Sequence, residues 1–130
     1  MKKSILVIED NEQNLYLVSF LLERHGYEVL AARDGKQGIR TATRQVPDLI
    51  LLDIQLPSMD GYAVAVRLKE SAELAHVPIV AVTSYAMAGD REKALASGCS
   101  GYIVKPINPD TFIGEIEAFL ETGTPGGEQI

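Results

Sequence analysis

Polar side chains follow four short apolar runs of this sequence, each of which is typical of a β-strand. The carboxyl ends of parallel strands meet at one edge of an α/β sheet, and ligands bind at that edge. Carboxylates brought together there need a cation, and a lysine and a hydroxyl beside them suit a phosphoryl group. The residues are Glu9 and Asp10 after residues 4–8, Asp53 at the end of 48–53, Thr83 and Ser84 after 77–82, and Lys105 after 101–104.

The three carboxylates of Glu9, Asp10 and Asp53 predict a metal site if the first and third strands are neighbours. Like charges a few ångströms apart do not all stay ionised unless a cation joins them. Oxygen ligands favour a hard ion, Mg²⁺ or Mn²⁺, over zinc. A carboxylate in such a site can also act as a nucleophile and form an aspartyl phosphate.

Each of these residues also has a simpler interpretation. Asp10 can cap a helix, Thr83 can form a turn, and Lys105 can be a solvated surface lysine. Asp53, however, directly follows four apolar strand residues, where an acid is costly to bury without a partner. The combination therefore favours chemistry over separate structural roles.

The apolar pattern along the chain alternates between strand and helix periods. Helix signals include a stripe of Leu15, Val18 and Leu22 that ends at Gly26, and an N-cap at Asp34. This alternation predicts a parallel sheet wrapped by helices. The predicted strands are 4–8, 27–31, 48–53, 77–82 and 101–104; the later helices carry Ile39, Ala42 and Val46 up to Pro47, follow the loop 55–61 and continue through Leu68, and span 90–96 and 109–121, with Pro109 in the first turn.

Composition excludes several classes of protein. The hydrophobic share of 46% and charged share of 23% are those of a globular domain, and no apolar run approaches the roughly 20 residues of a membrane span. A net charge of −6 disfavours nucleic-acid binding. The single cysteine, Cys99, cannot form an internal disulfide, and with two scattered histidines it cannot form a structural zinc site. No signal-peptide pattern follows Met1, so we expect a cytoplasmic protein.

Four segments together resemble the receiver domain of two-component response regulators. They are residues 5–10 (ILVIED), 48–61 (DLILLDIQLPSMDG), 78–83 (PIVAVT) and 98–106 (GCSGYIVKP). The resemblance implies a doubly wound five-stranded parallel sheet in the order 2-1-3-4-5, the flavodoxin-like or CheY-like (βα)5 fold. It implies a receiver domain over residues 1–121 and a flexible tail over 122–130.

The resemblance also implies a role for each site residue. Asp53 would accept a phosphoryl group, and Lys105 would pair with its oxygens. Mg²⁺, which Mn²⁺ could replace, would bind Asp10, Asp53 and the backbone carbonyl of Gln55, with Glu9 acting through a water molecule.

A second group of residues would transmit the signal. The family pattern implies that Thr83 and Tyr102 move together on phosphorylation, and that the Lys105–Pro106 peptide bond is cis. The side chains of Gln55 and Tyr85 would tune the lifetime of the phosphoryl group.

The expected function is a signalling switch, not an enzyme acting on outside substrates, that catalyses only its own Mg²⁺-dependent phosphorylation and dephosphorylation. A histidine kinase or histidine phosphotransfer protein would donate the phosphoryl group, around the first helix. A protein effector would bind the face made by the fourth helix, fifth strand and fifth helix, with neither nucleic acid nor membrane as a partner. The pattern resembles the stand-alone CheY-like or DivK-like kind.

Other interpretations stay open at this point. The segment could be a receiver module of a hybrid histidine kinase. An aspartate-nucleophile phosphatase would need a second acid two residues after the first, where Gln55 stands. A flavin- or nucleotide-binding domain would need a phosphate loop after the first strand, where Glu9, Asp10 and Glu12 would repel phosphate.

Overall fold

Strands and helices alternate along the computed structural model, which describes residues 2–56, 59–84 and 89–122. In these ranges a single 3₁₀ turn, Ala72–Leu74, interrupts the alternation. The elements are β1 (Ser4–Ile8), α1 (Glu12–Arg24), β2 (Glu28–Ala32), α2 (Gly35–Arg44), β3 (Leu49–Asp53), α3 (Gly61–Lys69), β4 (Ile79–Thr83), α4 (Asp90–Ala96), β5 (Gly101–Val104) and α5 (Phe112–Thr122).

The five strands form one parallel sheet in the order β2-β1-β3-β4-β5, which confirms the predicted fold. The register brings the carboxyl ends of the central strands level. Ile8 pairs with Leu52, Asp53 with Val82, and Thr83 with Val104. The residues that follow these strands therefore emerge at one edge of the sheet.

Helices cover both faces of the sheet and bury two apolar layers. Every residue of β1, β3 and β4 is buried, because a parallel strand inside such a sheet has a core on each side. Leu6 and Ile8 point into the layer under α2 and α3, and Ile5 and Val7 into the layer under α1 and α5.

The ends of the first two helices carry the predicted caps. The side chain of Asp34 accepts a hydrogen bond from the backbone N–H of Gln37 at 2.8 Å. Gly26 adopts a φ of 89°, and the N–H of Tyr27 donates to the carbonyl of Leu22 at 3.1 Å, as in a Schellman motif. Because Tyr27 belongs to this motif, β2 begins one residue later than the pattern predicts, at Glu28.

Several other predicted boundaries were wrong, three of them by more than one residue. The helix α2 ends at Arg44 and leaves Val46 outside it and 43% exposed, since the residue before Pro47 is restricted from helical backbone. The strand β4 begins at Ile79, directly after Pro78, which has no N–H to donate. Pro109 lies in a turn before α5, which begins at Phe112. Thr122 still belongs to α5; the rest of the predicted tail lies outside the described residues.

Candidate functional site

Ladder hydrogen bonds continue one residue beyond the strands and fix the backbone of the site residues. The N–H of Glu9 donates to the carbonyl of Ala32 at 2.9 Å. The N–H of Lys105 donates to the carbonyl of Thr83 at 2.7 Å. The side chains that project from this edge are therefore positioned by the sheet and do not depend on flexible loops.

Asp53 is held by a hydrogen bond on each carboxylate oxygen. The Lys105 Nζ lies 3.1 Å from Oδ2, and the backbone N–H of Gln55 donates to Oδ1 at 2.9 Å. The Asp53 side chain is only 3% exposed, and that of Lys105 is 16% exposed. Both oxygens therefore accept a hydrogen bond.

Glu9 lies beside this pair and is also buried. Its Oε1 is 3.5 Å from the Lys105 Nζ, and its Oε2 accepts the backbone N–H of Asn11 at 3.0 Å. Burial, hydrogen bonding to Asp53 and the charge of Asp53 raise the pKa of Glu9 from 4.5 to about 7, against the opposing effects of Asn11 and Lys105. Burial is the largest of these effects on the pKa of Glu9, and the neighbouring Asp53 adds to it.

Glu9, Asp10 and Asp53 form a cluster suited to a divalent cation. One carboxylate oxygen from each lies within 4.8 Å of the others. Glu9 and Asp53 are buried, whereas Asp10 is exposed and opens the cluster to solvent. The donors are all carboxylate oxygens that lie close together, so the residues present fit a hard ion such as Mg²⁺.

The loops after β3 and β4 are joined by a contact that the sequence does not reveal. The side-chain oxygen of Gln55 accepts the backbone N–H of Ser84 at 3.1 Å. Thr83, at the end of β4, is buried next to Val82, the pairing partner of Asp53. Tyr85, which the sequence also implicates, lies outside the described residues.

Tyr102 lies in β5, where it pairs with Ala81 and is half-buried. It lines a groove of about 420 Å³ together with Arg91 of α4, Val104 of β5, and Glu115 and Phe119 of α5. The Lys105–Pro106 peptide bond that follows β5 is cis. The structure therefore brings Glu9, Asp10, Asp53 and Lys105 into one cluster and places Tyr102 on an adjoining surface.

Residues 5–117 match the family model of the response regulator receiver domain. The chain belongs to this family. It is 45% identical over 120 residues to the polar-differentiation response regulators DivK of Brucella ovis and Brucella abortus (strain 2308), which covers 92% of this chain and 98% of each relative. The receiver is thus DivK-like in sequence.

Solved structures agree with this assignment. The receiver domain of the sensor histidine kinase PA1611 from Pseudomonas aeruginosa PAO1, with a magnesium ion coordinated in its active-site cleft, is 34% identical, with a TM-score of 0.86 over 94% of this chain and 100% of that one. The chemotaxis protein CheY4 of Vibrio cholerae is 26% identical, with a TM-score of 0.87 over 90% and 98%.

As a receiver domain, the chain is a component of two-component signalling, a phosphoaccepting switch that works with kinases or phosphotransfer proteins and with effectors. Its acidic cluster corresponds to the pocket in which receivers bind Mg²⁺. The comparisons give the phosphatase and hybrid-kinase interpretations no support over this one. Among the described helices, none is both long and apolar enough to cross a bilayer.

One residue at the receiver's site was not identified from the sequence. Asn14 lines a small cavity of about 20 Å³ with Glu9, Asp53 and Lys105. It lies four residues before the buried Val18 and so on the inward stripe of α1. A polar residue on an apolar stripe was the available signal.

Proposed function

We propose that Asp53 accepts the phosphoryl group from a phosphohistidine. An Asp53 carboxylate oxygen attacks the phosphorus; the O–P bond forms, the P–N bond breaks, and its electron pair returns to the imidazole. The observation that carries the proposal is a buried carboxylate, 3% exposed, with Lys105 at 3.1 Å and two further acids within 4.8 Å. Lys105 pairs with the phosphoryl oxygens and offsets their charge.

Asp10, Asp53 and the backbone carbonyl of Gln55 are the ligands that we propose for Mg²⁺, with Glu9 acting through a water molecule. Mn²⁺ can replace Mg²⁺, since both accept oxygen ligands. Neutralisation of the carboxylates and of the incoming phosphoryl oxygens is the chemistry that the ion supplies when bound. The three carboxylates, with one oxygen of each within 4.8 Å of the others, support this ligand set.

The chain acts only on itself, catalysing its own Mg²⁺-dependent phosphorylation and dephosphorylation. Aspartate-nucleophile phosphatases carry a second acid two residues after the nucleophile. In this chain that position is Gln55, whose side-chain oxygen is engaged by the Ser84 N–H. A carboxamide cannot act as a general acid or base for a leaving group, which argues against turnover of outside substrates.

Thr83 and Tyr102 transmit the phosphorylated state. Thr83 shares a ladder bond with Lys105, so a new contact between the phosphoryl group and the Thr83 hydroxyl also affects β5. Tyr102 is half-buried beside the groove that α4, β5 and α5 enclose, and its inward movement changes that surface. Phosphorylation thereby shifts the population toward a form that binds the downstream effector on the α4-β5-α5 face.

The phosphodonor, a histidine kinase or phosphotransfer protein, docks around α1. Tyr16 and Phe20 on this helix are 72% and 46% exposed and stack with ring centroids 6.4 Å apart, which supports a protein contact there. The net charge of −6 disfavours nucleic acids and anionic membranes as partners. We assign the protein to the cytoplasm, where kinases and effectors of this kind are available.

The switch is tested by NMR with beryllofluoride, which imitates the phosphoryl group, added in the presence of Mg²⁺. The amide resonances of α4, β5 and α5 should change in chemical shift in the wild-type protein and should be unchanged in Asp53→Asn. Shifts of equal size in Asp53→Asn would refute the assignment of Asp53. Shifts confined to the acidic cluster would refute the coupling through Thr83 and Tyr102.

A further inference from the structure

The helix α2 concentrates positive charge in an otherwise acidic protein. Its outward face carries Lys36, Arg40 and Arg44 at a spacing of four residues, and the helix contains no acidic residue. The whole chain has 18 acidic residues against 12 basic ones. Residues four apart lie on one helix face, so these three cations form a continuous row.

A groove of about 380 Å³ runs between this row and α3. It is lined by Lys36 and Arg40 of α2, Arg67 of α3, and the half-buried apolar side chains of Ile39 and Met59. The three cations are exposed, and within residues 2–56, 59–84 and 89–122 none of them has an ion-pair partner. The groove therefore combines an apolar floor with three available positive charges.

Close packing holds the two walls of the groove together. A Cβ added to Gly35 at the start of α2 would lie 2.7 Å from Val64 Cγ2 of α3 and 2.9 Å from Met59 Sδ. Gly38, one turn later, leaves similarly little room above Ile8 of β1. Only glycines let α2 approach this closely, so the groove is a fixed surface and not a gap between mobile elements.

We propose that this groove, formed by Lys36, Ile39, Arg40, Met59 and Arg67, binds an acidic segment of a partner protein. The segment carries carboxylates for the three cations and at least one apolar side chain for Ile39 and Met59. Bidentate pairing between guanidinium and carboxylate provides the specificity.

The charge of the whole chain favours a short acidic segment over a polyanion. A membrane surface or a nucleic acid extends far beyond the groove. It would therefore meet the remaining surface of the protein and be repelled by it, because the net charge is −6. A short segment interacts within a Debye length of about 8 Å at physiological salt, where the local charge is positive. Asp34, the one acid at the end of the adjoining pocket, is engaged in capping α2.

The groove is separate from the surfaces used by the proposed switch. It lies between α2 and α3, whereas the effector surface is formed by α4, β5 and α5. Binding at the groove therefore needs no phosphorylation of Asp53, and this surface adds a second partner to the receiver.

The test uses a short fluorescent peptide of glutamate and leucine, with anisotropy read at low and high salt. Arg40→Glu with Arg67→Glu should weaken binding about tenfold or more, because two attractions become repulsions. Lys2→Glu with Lys3→Glu changes the net charge equally on two exposed residues away from the groove, and should stay within about twofold of wild type. Circular dichroism verifies that both variants fold.

Three results would overturn the proposal: no binding of the peptide by the wild-type protein, equal weakening in the two double variants, or tighter binding of phosphatidylglycerol vesicles or oligothymidylate than of the peptide. Phosphoryl uptake from acetyl phosphate is measured in the same variants. It should be unchanged in the groove variant, which separates a failure of this proposal from a failure of the phosphoacceptor assignment.

Discussion

The ammonium group of Lys105 lies 3.1 Å from a carboxylate oxygen of Asp53, although 52 residues separate them in the sequence. The strand β4 lies between β3, which ends at Asp53, and β5, which Lys105 follows, and the carbonyl of Thr83 in β4 accepts the backbone N–H of Lys105. A largely buried ion pair contributes little net stability, because removing both charges from water offsets their attraction. We therefore interpret the pair as a preformed contact that Lys105 exchanges for the phosphoryl group.

Replacing Lys105 with alanine should separate chemistry from metal binding. Phosphoryl uptake from acetyl phosphate should slow by roughly 10²-fold, the loss expected for one group that stabilises developing charge. Affinity for Mg²⁺, measured by calorimetry, should be equal to that of wild type or higher, because a neighbouring positive charge is gone. Lys2→Ala is the control with no effect on either; a lower Mg²⁺ affinity in Lys105→Ala would contradict the assigned role.

The affinity for Mg²⁺ should depend on pH through Glu9. The pKa of Glu9 is raised to about 7 in the metal-free protein, so below this pH the ion must displace a proton. Affinity should therefore rise with pH, by up to about tenfold between pH 6 and 8 for one displaced proton. Calorimetry on Glu9→Gln should give a flatter profile, and an identical slope in this variant would exclude Glu9 as the source.

Gly61 should be intolerant of a side chain. A Cβ there would lie 2.5 Å from Ile54 Cα and 2.9 Å from the Asp53 carbonyl oxygen, both of them backbone atoms. Gly61→Ala should lower the free energy of unfolding by about 1–3 kcal/mol, the usual cost of overpacking. Gly114→Ala on α5, where nothing lies within 4 Å, should raise it by about 0.5–1 kcal/mol. Urea unfolding checks both, and equal stability of the two variants would contradict the tight contact beneath Asp53.

The exposed aromatic pair on α1 should matter only for a protein phosphodonor. Tyr16→Ala with Phe20→Ala should slow transfer from a phosphorylated histidine phosphotransfer protein by about tenfold, the effect of losing one interface hot spot. Uptake from acetyl phosphate should be unchanged. Val66→Ala removes a comparably exposed apolar residue from α3 and serves as the control. Equal slowing with both donors would show that the pair supports the fold and not the docking.

The sequence predicted the sheet and the acidic cluster well because both depend on local pattern plus one topological rule. Buried strands such as β1 and β3 are continuous apolar runs, and the residues after them meet wherever parallel strands end. Strand order did not follow from periodicity; it came from the family resemblance, and the structure confirms it.

The boundaries of the elements and the contacts between distant segments were less predictable, because they depend on partners distant in sequence. Pro109 suits the first turn of a helix, yet α5 begins at Phe112, after a turn in which the Asn108 side chain accepts the N–H of Asp110. The bond from Ser84 to Gln55 joins two loops 29 residues apart. The inward position of Asn14 was readable from its helical spacing but had no motif to mark it.

The most direct test of the central claim is the intact mass of the protein after incubation with acetyl phosphate, with and without Mg²⁺, beside Asp53→Asn. The account predicts the gain of one phosphoryl group that requires Mg²⁺ and is lost in Asp53→Asn. Beryllofluoride binding, followed by NMR, covers the case of a phosphoryl group that hydrolyses before it is weighed. A gain that persists in Asp53→Asn, or no gain together with no binding of beryllofluoride, would contradict the assignment of Asp53 as the phosphoacceptor.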